Sequence, residues 1–276
     1  NKQIDDREPI LQIKGQSHLN NTEIKLPAPI FKSAGVSRKI SVIIGIYANN
    51  LIDFGVHYGS NISVQGDLAF IEDGAKYQLR SIDVGLSTPL LSFNLNRGVR
   101  LYGTLSTLSV DDWSEWYQTD IVQNNRGQNG NGDKTDSGES AWNLLKFVDL
   151  QLQSVMIDGR QWSDVNFFLA QEEDEFLVDI KSSHFTGQLT LPKQQSPENP
   201  IIANLEHLKF ESSESAGPTS SLLPNDLYNL SLISKAATYD DYEVDNLQLE
   251  TRLDGNKLVI QKIDFQRDAV FLRGQG

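Results

Sequence analysis

Between Trp142 and Pro192 apolar and polar residues alternate with a period of two, in four runs parted by turn residues. Val148, Leu150, Leu152 and Met156 share one parity, followed by Val165, Phe167 and Leu169, then Phe176, Val178 and Ile180, then Phe185, Leu189 and Leu191. The breaks are Asp158-Gly159, the acidic stretch Glu172 to Glu175, and Ser182-Ser183. A helix cannot hold a two-residue period on one side, so these runs predict consecutive antiparallel strands with one dry face and one wet face. What covers the dry face is the question the rest of the chain must answer.

The same reading extends in both directions. Ile10 to Ile13 and Ile24 to Leu26 read as short strands, the second ended by Pro27-Ala28-Pro29, which removes ladder donors. Lys39 to Ala48, Leu51 to Tyr58, Ile62 to Phe70, Tyr77 to Leu86, Leu90 to Leu95 and Val99 to Leu105 follow as strands. The period then changes: Val110, Trp113, Tyr117 and Ile121 are three or four residues apart, with Ser109 as N-cap and Asp111 and Asp112 in the first turn, which predicts one short helix near 110–121. Asn124 to Ser140 has almost no apolar residue and reads as a mobile loop, because it cannot offset its own ordering entropy. Beyond Pro192 the pattern gives Ile201 to Phe210, a polar stretch Glu211 to Ser221, then strands at Leu227 to Ile233, Leu247 to Leu253, Leu258 to Phe265 and Ala269 to Leu272. About fourteen strands and one helix make a mostly β chain. Its expected organisation is a first β-rich half over 1–121, a polar loop over 122–141, and a second half over 142–276 that continues the first.

Composition removes several function classes. The net charge of −13 disfavours nucleic acid, whose recognition needs clustered Lys and Arg. With no cysteine there is neither a disulfide framework nor a thiolate metal site. No apolar run is long enough to span a bilayer as a helix. Asn1-Lys2-Gln3 is neither Met nor a signal peptide, which suggests an interior piece whose targeting or anchoring segment lies outside it.

Searches for chemistry end negatively. His18, His57, His184 and His207 are too far apart in sequence for a local metal motif, and no nucleophile elbow surrounds any serine. Asn129 to Asp133 places oxygens at alternate positions, yet Lys134 stands where a calcium loop needs glycine and Ser140 where it needs glutamate. The glycines at 127, 130 and 132 are neither preceded by a strand nor followed by an amphipathic helix, so they do not form a phosphate cradle. Glu172 to Glu175 and the cluster Asp240, Asp241 and Glu243 fall at turns, where charge is solvated. The expectation is therefore no catalytic residue, no metal and no cofactor.

Several stretches together resemble one family. Leu26-Pro27-Ala28-Pro29-Ile30-Phe31-Lys32 is similar to the LPaPL-x-K signature of the YhdP family of large AsmA-like envelope proteins. Gly98 to Leu105, running on to Asp111-Asp112-Trp113, resembles a second block of that family. Phe147 to Leu152, Gly159 to Asn166, Phe185-Thr186-Gly187 with Leu191-Pro192, and Leu205 to Phe210 resemble its successive strands. Arg273 to Gly276 resembles the start of its terminal motif. The resemblance is collinear over nearly the whole chain, with Ile30 replacing the commoner Leu.

It implies an interior segment of a periplasmic protein anchored in the inner membrane by a part outside this chain. It also implies a role in phospholipid transport to the outer membrane and in the permeability barrier, without catalysis. The expected fold is a long up-and-down antiparallel sheet, strongly curled into an open groove, a β-taco or incomplete barrel. The partners implied are phospholipid acyl chains, neighbouring segments of the same long chain, and an envelope protein. The expected groove residues are Val148, Leu150, Leu152, Val165, Phe167, Leu169, Val178, Ile180, Leu189, Leu191, Leu247 and Leu249. Alternation alone favours an ordinary sandwich core, and only the family resemblance reverses that order. Two other readings stay open: an adaptor that binds an envelope protein through a free sheet edge, and a carbohydrate-binding sandwich using Trp113, Trp116, Trp142 and Trp162.

Overall fold

The structure is a computed structural model. It describes residues 8–71, 76–90, 98–117, 119, 144–157, 159–194, 196, 198–210, 229–255, 257–267 and 270–274. Among the described residues the chain is mostly β, with a single short helix and one long sheet whose first and last strands are not paired with each other. The strands are β1 (Leu11–Ser17), β2 (Ile40–Ile46), β3 (Leu51–Tyr58), β4 (Ile62–Ile71), β5 (Lys76–Leu86), β6 (Gly98–Ser109), β7 (Leu145–Ile157) and β8 (Arg160–Gln171). They continue with β9 (Glu175–Lys181), β10 (Phe185–Pro192), β11 (Ile201–Phe210), β12 (Leu230–Tyr239), β13 (Tyr242–Asp254), β14 (Lys257–Arg267) and β15 (Val270–Gly274). Their order in the sheet is their order in the sequence.

Most neighbours are antiparallel, as alternation with short turns dictates. Three junctions differ: β5 with β6, β6 with β7, and β11 with β12 pair in parallel. Parallel neighbours need a connection of about a dozen residues or more to bring the chain back to its starting end. Each such junction coincides with a long connection: residues 87–97, the stretch containing α1 (Val110–Trp116), and residues 211–229. The helix is capped as its sequence predicts, with the Ser109 hydroxyl accepting from the Asp112 amide at 3.1 Å. It ends at Trp116, and Ile121 lies outside the described residues. The expected strand at 24–26 is only a single bridge, Ile24 to Lys32, because the prolines that follow cannot extend a ladder. The strand expected at 90–95, the loop at 124–140 and the polar stretch at 211–221 fall almost wholly outside the described residues, as does the 122–141 divide. The chain forms two compact units, Asn1–Gln161 and Trp162–Gly276.

In the first unit the cross-strand register sorts side chains cleanly. Val42, Val56, Val64, Val84, Leu101 and Val148 stand opposite one another across β2 to β7. Ile44, Phe54, Gly66, Ile82 and Val99 form the next row, and Ile40, Tyr58, Ile62, Leu86, Gly103 and Leu150 the row on the other side. All three rows share one face because directly opposed residues do. The other face carries Lys14, Ile43, Gly55, Gln65, Asp83 and Arg100 in register.

Two glycines on the apolar face are required by close approach. Gly66 leaves the room into which the Phe54 ring folds, 2.6 Å from where a Cβ would stand. Gly103 has φ +126°, and a Cβ there would strike the Leu86 carbonyl. Such glycines let a sheet bend where a side chain would hold it flat.

The second unit repeats the scheme. Leu169, Val178, Leu189, Ala203, Leu232, Leu249 and Ile263 make one row across β8 to β14. Phe167, Ile180, Gly187, Leu205, Ser234 and Leu247 make the next. Here Ala203, Leu205, Leu208 and Ala237 form a buried cluster, flanked by the partly buried Phe185, Leu189, Leu230, Leu232, Val244 and Leu247.

Candidate functional site

The feature of the first unit with evident binding capacity is its apolar face. The rows through Val56 and Phe54 are half-buried along almost their whole length in β2 to β6, and among the described residues no second sheet lies on them. Along β3, from Ile52 to Tyr58, the apolar stripe is about 20 Å wide at ~3.4 Å per residue. Leaving such a surface half open costs hydrophobic burial, at roughly 25 cal/mol for each Å².

At one rim the exposure drops. Tyr58, Ile62 and Leu86 are buried, and the connection between β1 and β2 meets this rim at Tyr58. This connection carries the Leu-Pro-Ala-Pro motif, and side chains hold it down by its carbonyl oxygens. The Tyr58 hydroxyl donates to the Ile30 carbonyl at 2.7 Å, and the Trp113 indole Nε1 to the Ala28 carbonyl at 2.9 Å. Arg38 donates to the Pro29 and Phe31 carbonyls, both at 3.3 Å, and lies 4.9 Å over the Tyr58 ring. Lys32, 1% exposed, donates from Nζ to the Thr22 carbonyl at 2.5 Å and the Ser33 carbonyl at 3.1 Å. The segment is thus a strap that closes this rim of the face.

The opposite face of the unit is polar, and most of its side chains bond one another. Arg100 donates to Asp83 in a two-pronged pair, Nε to Oδ1 and a terminal nitrogen to Oδ2, both at 2.6 Å, and Gln65 adds a bond to Oδ2 at 3.2 Å. The pair spans the parallel junction of β5 and β6 and is almost fully buried. Asp53 accepts from the Tyr47 hydroxyl at 2.6 Å. That hydrogen bond, then burial, then the carboxylate charge push the Tyr47 phenol up to about 12. Asp67 accepts from Ser81 and faces Arg80 Nε at 3.1 Å without a well-aligned hydrogen bond. Two open clefts of about 490 and 620 Å³ lie on this side, one over Asp53, Asp67 and Asp83, the other beside Arg100, Tyr102 and Phe147. Each carboxylate of the first cleft is already partnered, so no free anion waits there for a cation.

Two serine–histidine contacts exist, His57 with Ser63 and His184 with Ser183, each at 2.9 Å. Both are exposed, and no carboxylate among the described residues orients either imidazole, so neither makes a triad. Among the described residues no three His, Asp or Glu side chains group to hold a metal, and no helix is long and apolar enough to cross a membrane. Trp113 packs edge-on against Trp116, and Trp162 stacks on His184 and meets Phe185 edge-on. Trp142 lies outside the described residues.

The residues expected from the sequence to line a groove divide in two. Val148, Leu150 and Leu152 on β7, and Val165, Leu169 and Val178 on β8 and β9, are buried, Val178 to 2%. Phe167, Ile180, Leu189, Leu191, Leu247 and Leu249 are half-buried. In the second unit Leu169, Val178, Leu189 and Leu249 share one cross-strand row, Phe167, Ile180 and Leu247 the next, and Leu191 stands opposite Phe176. The more open ladder through Val42, Val56, Val64 and Val84 was not among the expected residues. Its alternation is as regular as that of 142–192, but sequence pattern carries no measure of how far a face is covered.

No curated protein and no solved structure matches the chain. A family model described as YhdP protein matches residues 1–276, the whole chain. The strap built on Leu26 to Lys32, the block from Gly98 into α1, and the ladder of strands are the parts of the fold that carry the family's motifs. The chain therefore belongs to the YhdP family, an AsmA-like family of envelope proteins.

Proposed function

We propose that this chain is a non-catalytic, periplasmic segment of a phospholipid-transporting envelope protein anchored in the inner membrane by a part outside it. In this reading acyl chains travel along the apolar face, with their path continued by neighbouring segments. The observation that carries the proposal is the half-buried ladder through Val56 and Val64, which stands in register over β2 to β6 under no second sheet among the described residues. Family membership supports it. Scale supports it too: a stripe about 20 Å wide is comparable with the ~15 Å that one leaflet contributes to a 30 Å hydrocarbon core. An acyl chain needs no hydrogen-bond partner, and this face offers none.

The purified chain is expected to carry phospholipid detectable by native mass spectrometry. The substitution Val64→Asp places a charge in the acyl path and is expected to abolish that cargo, while Leu177→Asp on the other face of the second unit leaves it. Cargo that persists undiminished in Val64→Asp would overturn the assignment of the path to this ladder. One observation favours an adaptor role instead: β1 is exposed along its whole length and, among the described residues, its outer edge pairs with no strand, a ready template for strand addition. Its signature would be a protein captured at Gln12 with no lipid in the preparation.

A further inference from the structure

Resting on the lipid reading, we propose that the strap makes the path asymmetric, so that a phospholipid lies in the first unit with its headgroup at the rim formed by the β2–β3 turn and its chains directed toward the strap. The two rims differ in kind. At the strapped rim Tyr58, Ile62 and Leu86 are buried, and the segment's carbonyls at positions 22, 28, 29, 30, 31 and 33 accept six bonds from four side chains, Lys32, Arg38, Tyr58 and Trp113. The Tyr58 bond ties the strap to the sheet and the Trp113 bond ties it to α1, while Lys32 and Arg38 are occupied by carbonyls of the strap itself. A zwitterionic or anionic headgroup arriving there would have to displace them and enter a region already filled.

At the other rim the apolar stripe runs out to Ile46, Ile52, Leu68 and Leu79 without such a cover among the described residues. The turn beyond it, Ala48-Asn49-Asn50, is exposed and polar. A headgroup stays hydrated at this rim while the chains remain on the dry rows, so neither part of the lipid gives up its preferred surroundings. Strap and free rim together set the direction in which a lipid can lie across the strands.

The chain contains no cysteine, so single cysteines can be labelled on a clean background. A fluorophore is attached to the full chain as Ala48→Cys at the free rim, Ser60→Cys at the strapped rim, or Val64→Cys on the ladder. Each variant is loaded with phosphatidylcholine carrying a nitroxide either on the headgroup or on an acyl chain. The expected result is loss of fluorescence at Val64→Cys with the acyl-chain nitroxide, and loss at Ala48→Cys but not Ser60→Cys with the headgroup nitroxide. Acyl-chain quenching at Val64→Cys with headgroup quenching that is equal at both rims, or stronger at Ser60→Cys, overturns the orientation and leaves the groove standing. Absence of acyl-chain quenching at Val64→Cys overturns the groove reading, and the orientation with it.

Discussion

The two compact units build the same alternating strands, yet they bury different parts of their apolar faces: the ladder over β2 to β6 of the first is half-buried throughout its middle rows, whereas the second holds a fully buried cluster at β11 and β12. In Trp162–Gly276 Ala203, Leu205, Leu208 and Ala237 form a buried cluster and Val178 is 2% exposed, while Leu232, Leu247, Leu249 and Ile263 in the same rows are half-buried. In Asn1–Gln161 the rows through Val56 and Phe54 stay half-buried, and the buried charges Lys32, Asp83 and Arg100 all belong to this unit. A sheet that keeps an apolar face accessible forgoes part of the hydrophobic stabilisation a closed core supplies. The polar face and the strap supply fixed geometry in its place. A ladder without a buried cluster in β2 to β6 is what is expected of the part of the sheet that has to admit a ligand.

The largest effect that can break this contrast lies in the Asp83–Arg100 pair. Arg100→Leu leaves a buried carboxylate without its cation and is expected to cost about 3–5 kcal/mol in denaturant unfolding. Replacing both residues by leucine is expected to recover most of that loss, because the pair's net contribution is small once desolvation is counted. A large loss in the double variant would mean the pair does more than satisfy itself. Next comes the core of the second unit, where Leu205→Ala is expected to cost about 2–5 kcal/mol through lost burial and a residual cavity. Val64→Ala on the open ladder is expected to cost under about 1 kcal/mol, since its side chain is only partly removed from water. Equal costs at Leu205 and Val64 would erase the distinction between the buried cluster and the half-buried ladder.

The smallest expected effect is a pH dependence at the free rim. The Tyr47 phenol is raised from its ordinary 10 to about 12 in the folded chain. The folded state therefore holds this proton more tightly than the unfolded state, and the stabilisation is complete below about pH 10 and lost as the pH rises toward 12. Because the site is open to water the contribution is expected to stay below about 1 kcal/mol. Unfolding of Tyr47→Phe between pH 9 and 12, compared with the unsubstituted chain, measures it on the order of that size.

Much of the sheet was legible in the sequence. Val148, Leu150 and Leu152 do share a face, as do Phe167, Ile180 and Leu247, because period two fixes the side on which a strand residue falls. Ser109, Asp111 and Asp112 marked the helix start correctly. The parallel junctions were not legible, since alternation is the same whichever way a strand runs. Lys32 gave no sign of burial either, because its partners are backbone carbonyls that only the folded strap brings together. The contrast between Val178 and Val64 is the clearest limit. Both sit in clean alternation, and only the packing of the rest of their face separates a core residue from an accessible one.

The central claim, that the apolar face of the first unit is a lipid path, is tested most directly by photocrosslinking in living cells. A photoreactive residue at Val64 is compared with one at Ile43, which is 40% exposed but lies on the polar face in register with Gly55. The account predicts phospholipid adducts at Val64 and none at Ile43. Equal capture at both positions, or no lipid at Val64, would contradict it.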